Sequence, residues 1–192
     1  MKSISITGSV RASVGKNTAR EVRAAGNIPC VLYGGTDLLH FSASEVQFKK
    51  LLYTPEVFTV HLDIDGKQFK AVLREVQVHP VSDAILHLDF LQMFSDKQVV
   101  IDVPVHITGN SIGVKQGGKL ITKVRKLKIK ALPADLPESI TLNVDTLEIG
   151  KSIKVKDINV QNVEILDSPN SVVTAVQITR QVATEAAPAG KK

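Results

Sequence analysis

Apolar and polar residues alternate along most of this chain, and a period of two marks strands with one buried face. Ser3–Val10 predicts a first strand, Ile28–Tyr33 a second that ends in Gly34-Gly35, and Leu38–Phe41 a short third. Val57–Ile64 alternates strongly, Asp65-Gly66 is a two-residue hairpin turn, and Gln68–Val78 returns as the partner strand. Ala84–Leu91 reads as one more. Two segments break the alternation. After the first strand, Asn17 or Thr18 can cap a helix that Gly26 ends in a left-handed turn and Pro29 forbids from continuing. Further on, Ser42 and Glu45 have capping-box spacing for a helix over Ala43–Leu52, with Phe48, Leu51 and Leu52 on its apolar side.

The texture changes near Ser95-Asp96. From there the pattern is strands and turns alone: Val99–Thr108, Leu120–Leu132, Ile140–Val144, Ile153–Val155, Val160–Leu166 and Val172–Thr179. Turn residues fall between them at Gly109-Asn110, Gly117-Gly118, Pro133 to Pro137, Gly150 and Asp167 to Asn170. The expected fold class is mainly β: an N-terminal β-barrel with short helices over residues 1–95, then an all-β C-terminal domain over residues 97–182. Residues 183–192 have no periodic apolar face and are expected to be a disordered tail.

Composition sharpens this. Of 192 residues, 43% are hydrophobic but only 4% aromatic, with no Trp, so Val, Ile and Leu must fill the core. The start, Met-Lys-Ser-Ile-Ser-Ile, alternates and predicts a strand rather than a signal peptide. No stretch approaches the roughly 20 apolar residues of a membrane span. Cys30 is the single cysteine, so no intrachain disulfide forms and a reducing cytoplasm is the expected setting. Its place in an apolar strand predicts a small buried hydrophobe.

Net charge is +5 and the pI about 9.3, which mildly favours anionic partners. Residues 1–96 hold ten Lys/Arg and ten Asp/Glu, while residues 97–182 hold twelve and eight. The local field matters more for phosphate binding than the total, and Arg11, Lys16, Arg20 and Arg23 cluster within thirteen residues against one acid, Glu21. On a helix, Arg20 and Arg23 share a face.

A second polar cluster runs from Arg74 to Phe90. Gln77 and His79 project to one face of a strand, and so do His87 and Asp89. Mixed donors and acceptors on a sheet can read RNA edges and 2′-hydroxyls. The same composition also fits a facial metal triad of His87, Asp89 and a third histidine, His79 or His106, while the simplest reading has Asp89 orienting a histidine. Lys126, Lys128 and Lys130 alternate with Leu127 and Ile129, a lysine stripe that edge protection explains as well as nucleic acid does. Gly117-Gly118-Lys119 lacks P-loop spacing. No catalytic triad, paired catalytic carboxylates or zinc-cysteine spacing stands out, so no enzyme activity, cofactor or small-molecule substrate is expected.

Several motifs then fall in order: V-R-x-x-x-G-K-x-x-x-R-x-x-R at Val10–Arg23, I-P-x-x-x-Y-G-G at Ile28–Gly35, D-G-K at Asp65–Lys67, and V-Q-x-H-P with H-x-D-F between Val76 and Phe90. V-P-V-x-x-x-G at Val103–Gly109, G-V-K-x-G-G at Gly113–Gly118 and L-x-I-G-x-S-I at Leu147–Ile153 follow. In these the chain closely resembles the bacterial large-subunit ribosomal protein L twenty-five family, in its two-domain branch, the general stress protein CTC type. The resemblance implies a first domain akin to the anticodon-binding barrel of glutaminyl-tRNA synthetase, bound to 5S ribosomal RNA. It implies that Arg11, Lys16, Arg20 and Arg23 contact phosphates, and that Tyr33, Gln77, His79, His87 and Asp89 lie on or beside the RNA-facing sheet. Glu21 and Val78 stand where some relatives carry a basic residue. The second domain is expected to touch neighbouring ribosomal components, with stress-dependent ribosome association as the alternative role.

Overall fold

The computed structural model describes residues 2–35 and 37–178, so the expected tail at 183–192 lies outside the described residues. The chain divides into two compact units, one of Met1–Val99 with Leu132–Glu138 and one formed from the intervening and following residues.

The first unit is a closed six-stranded barrel. Its strands are β1 (Lys2–Val10), β2 (Asn27–Tyr33), β3 (Leu39–Ser44), β4 (Phe58–Ile64), β5 (Lys67–Val78) and β6 (Ile85–Gln92), in the order β1-β3-β2-β6-β5-β4. β1 runs parallel to β4 and β2 parallel to β6. The Asp65-Gly66 turn between β4 and β5 has φ values of 48° and 83°, both positive as a type I′ hairpin requires. Alternation does what the sequence promised: Ile28, Cys30, Leu32, Phe41, Val60, Leu62, Leu88 and Phe90 all point inward and are buried. The few aromatics are concentrated here, with the rings of Phe41 and Phe48 tilted against Phe90 at 5.8 and 6.1 Å. Full burial of each such side chain contributes about 1.5–3 kcal/mol. β1 needs a glycine where it meets β3, because a Cβ on Gly8 would lie 2.9 Å from a Phe41 ring carbon and 3.0 Å from the Ser42 carbonyl.

Both helices start elsewhere than the capping signals suggest. Helix α1 spans Lys16–Ala24 with Gly15 at its N-cap. Thr18 does not cap; its hydroxyl donates to the Gly15 carbonyl at 3.3 Å, inside the first turn. Gly26 closes the helix at φ 77°, as expected. Helix α2 spans Glu45–Leu52, and the Ser42–Glu45 capping box does not form. Ser42 is held in the β3 ladder opposite Pro29 and Ser9, and ladder pairing outweighs one cap. The Gly26 carbonyl accepts the Glu45 N–H at 3.3 Å instead, satisfying one of the amides a helix start leaves open.

The second unit holds two sheets. β7 (Val99–Thr108), β9 (Lys126–Ala131), β10 (Ile140–Asn143) and β12 (Glu164–Ile165) form one, in the order β10-β7-β9-β12. β8 (Lys119–Thr122), β11 (Ser152–Lys154) and β13 (Val172–Gln177) form the other, in the order β11-β13-β8. The expected strand Leu120–Leu132 is therefore two strands in different sheets. The chain changes sheet at Lys123–Arg125, where the Val173 carbonyl accepts the Lys123 N–H and the Arg125 carbonyl accepts the Val105 N–H, both at 2.9 Å. No Gly or Pro marks the switch. Val160–Leu166 shrinks to β12, and Val155–Asp157 is a 3-10 turn in which Asp157 accepts the Lys154 N–H at 3.0 Å. A single helical turn, α3 (Ile112–Lys115), interrupts the β pattern. β9 is not an open edge: residues 164–167 run along it, with the Leu166 N–H on the Lys128 carbonyl at 2.9 Å and Asp167 accepting from Lys128 at 2.8 Å. Edge protection does not account for its lysines. Lys130 instead pairs with Glu164 at 3.4 Å.

Candidate nucleic-acid interface

Leu88 and Phe90 fill the barrel, so the alternating residues His87 and Asp89 must stand on its outer face. The registers of β2, β5 and β6 set their neighbours. Asp89 lies between Val31 and Glu75, and His87 lies opposite Gln77. His87 Nδ1 and Asp89 Oδ1 approach to 2.6 Å, with both side chains about a quarter exposed. The pair sits at ion-pair distance, though out of line for a well-aligned hydrogen bond.

Helix α1 brings the basic cluster to the same end of β6. It buries no residue and lies on the outside of the barrel. Arg23 ties it down: its Nε donates to the Leu86 carbonyl at 3.0 Å, one residue from His87. One of the guanidinium's five donors is thereby engaged within the protein. Lys16 and Arg20, four residues apart, are exposed, as is Glu21. Arg11 is only partly exposed. Its backbone N–H donates to the His40 carbonyl at 3.0 Å, and its Nη2 is buried without a hydrogen-bond partner.

His79 and Gln77 are exposed at the end of β5, and Val78 between them is 46% exposed. His79 turns its ring back on its own loop, where Nδ1 accepts from the Val81 and Ser82 amides at 3.3 Å each. Tyr33 stands on the outer face of β2, half-buried, and burial pushes its hydroxyl pKa up while a hydrogen bond from Arg74 and that residue's charge oppose the shift. Asp89 and Glu75 act on the same hydroxyl, so Tyr33, Arg74, Glu75 and Asp89 form one cluster.

The structure thus gathers Arg23, Gln77, His79, His87 and Asp89 around the β5–β6 end, with Lys16 and Arg20 on the helix that Arg23 anchors there. Tyr33 lies one step further along the sheet, and Arg11 follows β1 with its backbone N–H held by the His40 carbonyl. Sequence reading missed Arg74 and Glu75. They fall at an irregularity in β5 between Leu73 and Glu75, which shifts the alternation with no glycine to announce it. Among the described residues, no three His, Cys, Asp or Glu side chains converge as metal ligands, so His87 and Asp89 find no third partner in His79 or His106. Cys30 is fully buried and its thiol pKa is pushed far up, first by desolvation and then by the Asp89 charge, so it offers no nucleophile.

Two family models match along the chain. Residues 6–90 match the ribosomal L25p family, and residues 98–180 match the C-terminal domain of ribosomal protein TL5. Among curated proteins, the chain is 42% identical over 196 residues to large ribosomal subunit protein bL25 of Bacteroides fragilis, covering 100% of both chains. It is 44% identical over 192 residues to that of Cytophaga hutchinsonii, again covering 100% of both. It is 45% identical over 184 residues to that of Christiangramia forsetii, covering 95% of this chain and 84% of the relative. The chain belongs to the bL25 family of bacterial large-subunit ribosomal proteins, in its two-domain form, and is thus a structural, rRNA-binding component of cytoplasmic ribosomes and not an enzyme.

Proposed function

We propose that the first unit binds 5S ribosomal RNA through the outer face of β5 and β6 and the helix laid beside it. The observation that carries this reading is the Arg23–Leu86 hydrogen bond. It fixes a basic helix next to the row Gln77–His87 and the paired His87–Asp89, so phosphate-binding and edge-reading groups face one ligand. Lys16, Arg20 and the remaining donors of Arg23 meet the phosphate backbone, which positions the RNA. Gln77, His87 and Asp89 offer donors and acceptors at hydrogen-bonding height to base edges and 2′-hydroxyls in the shallow minor groove. Asp89 has two roles open to a carboxylate beside RNA: it orients His87, and it accepts from an amino group or 2′-hydroxyl. The functional boundary falls at residues 95–97, just ahead of Val99, where the first stretch of the first compact unit ends before its return segment 132–138, and the C-terminal domain contacts neighbouring components of the large subunit. Chemical footprinting of 5S rRNA with and without the protein tests the reading. Protection confined to one helical region, and needing more protein in Arg20→Ala, supports it; no protection by the full chain overturns it.

A further inference from the structure

The β5–β6 loop has no core to hold it. Every residue from Gln77 to Ala84 is exposed, and Val81 at its tip is 87% exposed. Its shape rests instead on four hydrogen bonds that all converge on one residue. The His79 N–H donates to the Ala84 carbonyl at 2.8 Å, the Asp83 N–H donates to the His79 carbonyl at 3.0 Å, and the His79 ring accepts from the amides of Val81 and Ser82. Pro80 restricts the backbone of His79 to extended conformations and fixes its own φ, while Asp83 takes a left-handed φ of 54° that an aspartate tolerates. This loop leaves the sheet after Val78 and re-enters it at Ile85, its partner in the ladder, with the Gln77–His87 pair next in register beyond an irregularity, so its order decides how that pair is framed.

We propose that His79 is a positioning residue for RNA binding: its Nδ1 holds the 79–84 loop closed in the free protein, and the ordered loop, rather than the imidazole, is what the RNA meets. The proposal rests on the reading of the first unit as the 5S rRNA-binding barrel. Its chemistry is specific. Nδ1 acts here purely as an acceptor, two bonds from Cβ. The side-chain oxygen of Asn sits at the same two bonds from Cβ and makes the same contact to amides two and three residues on, the familiar Asx turn. An RNA-contacting imidazole has no such substitute. A loop ordered before binding avoids the entropy of ordering it in the complex, which is where the affinity gain arises.

The test compares the full-length chain with His79→Ala and His79→Asn. Amide hydrogen exchange at Val81 and Ser82, read without RNA, reports the loop; dissociation constants for 5S rRNA report its use. His79→Ala is expected to lose amide protection and to weaken binding about tenfold, and His79→Asn to restore most of both. If His79→Asn keeps the amides protected yet binds as weakly as His79→Ala, the ring itself contacts RNA and the proposal is overturned. Unchanged binding by His79→Ala with an unprotected loop overturns it as well. Failure of the unmodified chain to bind 5S rRNA is a different result, since it removes the underlying reading along with the proposal.

Discussion

His87 Nδ1 stands 2.6 Å from Asp89 Oδ1, two residues along one strand, with the inward-facing Leu88 between them fully buried. The carboxylate faces the imidazole on the outer face of β6, and the residues opposite on β5, Gln77 and Glu75, complete a polar square. One side chain cannot be removed without leaving the other unmatched.

Asp89→Ala and His87→Ala should each weaken 5S rRNA binding by on the order of 1–3 kcal/mol, with little change in salt dependence, because they act on groove edges and not on phosphates. The double variant should lose less than the sum, since the two groups act as a pair. Titrations of the three variants, with thermal melts of the free proteins as control, measure this. Tighter binding by a normally folded Asp89→Ala would mean that the carboxylate repels RNA instead of reading it.

Arg20 and Arg23 should separate. Arg20→Ala is expected to flatten the salt slope of binding by about 0.7–0.9 and to leave the melting temperature unchanged, as a lone phosphate contact does. Arg23→Ala should lower both affinity and melting temperature, because the Leu86 carbonyl loses its donor and the helix loses its tie. Equal melts for the two variants would show that the tie contributes nothing.

A Cβ on Gly118 would sit 2.7 Å from the Gly113 carbonyl and 2.6 Å from a Val176 methyl, and a backbone oxygen does not move aside. Gly118→Ala should cost the second unit about 1–3 kcal/mol while 5S rRNA binding by the full chain stays intact. A fragment of residues 1–95 should also bind, but melt below the full chain, because segment 132–138 belongs with the first unit and is missing from it. Strong 5S rRNA binding by residues 97–192 alone would reverse the assignment of roles.

Cys30 should resist alkylation in the native protein and react on unfolding. Burial, the leading cause, and the nearby Asp89 raise its pKa, so the folded chain keeps the thiol protonated where an unfolded one ionises near 9.0. The sign follows: this contribution to stability is complete below pH 9 and declines as pH rises above it. Denaturant titrations of the unmodified chain and of Cys30→Ala between pH 8 and 10.5 measure the difference in slope. Rapid native-state alkylation at pH 8 would contradict the burial argument.

How much of this could be read from the chain depended on which force set each element. Strands of the barrel were legible to within a residue, except that β3 runs three residues past the expected Phe41, because burial of one face imposes a strict period, as in Val60, Leu62 and Ile64. The type I′ turn at Asp65-Gly66 was legible because only certain residues tolerate its two positive φ angles. What escaped was decided by partners distant in sequence. Ser42 looks like a helix cap, but its ladder with Pro29 and Ser9 keeps it in a strand. Lys123–Arg125 looks like the middle of one strand, but hydrogen bonds from two sheets divide it. Of the candidate site, the residue types and the shared face of His87 and Asp89 were visible in the alternation. The inward turn of the His79 ring and the tether from Arg23 to Leu86 were not, because both depend on backbone atoms that every sequence possesses equally.

The barrel closes along two parallel seams, one placing Lys2 beside Phe58 and the other Cys30 beside Leu88. Neither seam can form until more than half of the first unit has left the peptide exit tunnel, since each joins an early strand to a late one. The antiparallel neighbours β2–β3, β4–β5 and β5–β6 each need only a short connection and no such long-range closure. Topology thereby constrains assembly: the row of Gln77, His87 and Asp89 comes with the pairing of β5 and β6, and the basic helix that precedes β2 is brought beside it when β6 docks on β2. A nascent chain carries the helix's charge before it has a surface with which to use it. On the proposed reading, the phosphate-binding and edge-reading halves of the RNA surface therefore meet only when the barrel closes along the β2–β6 seam.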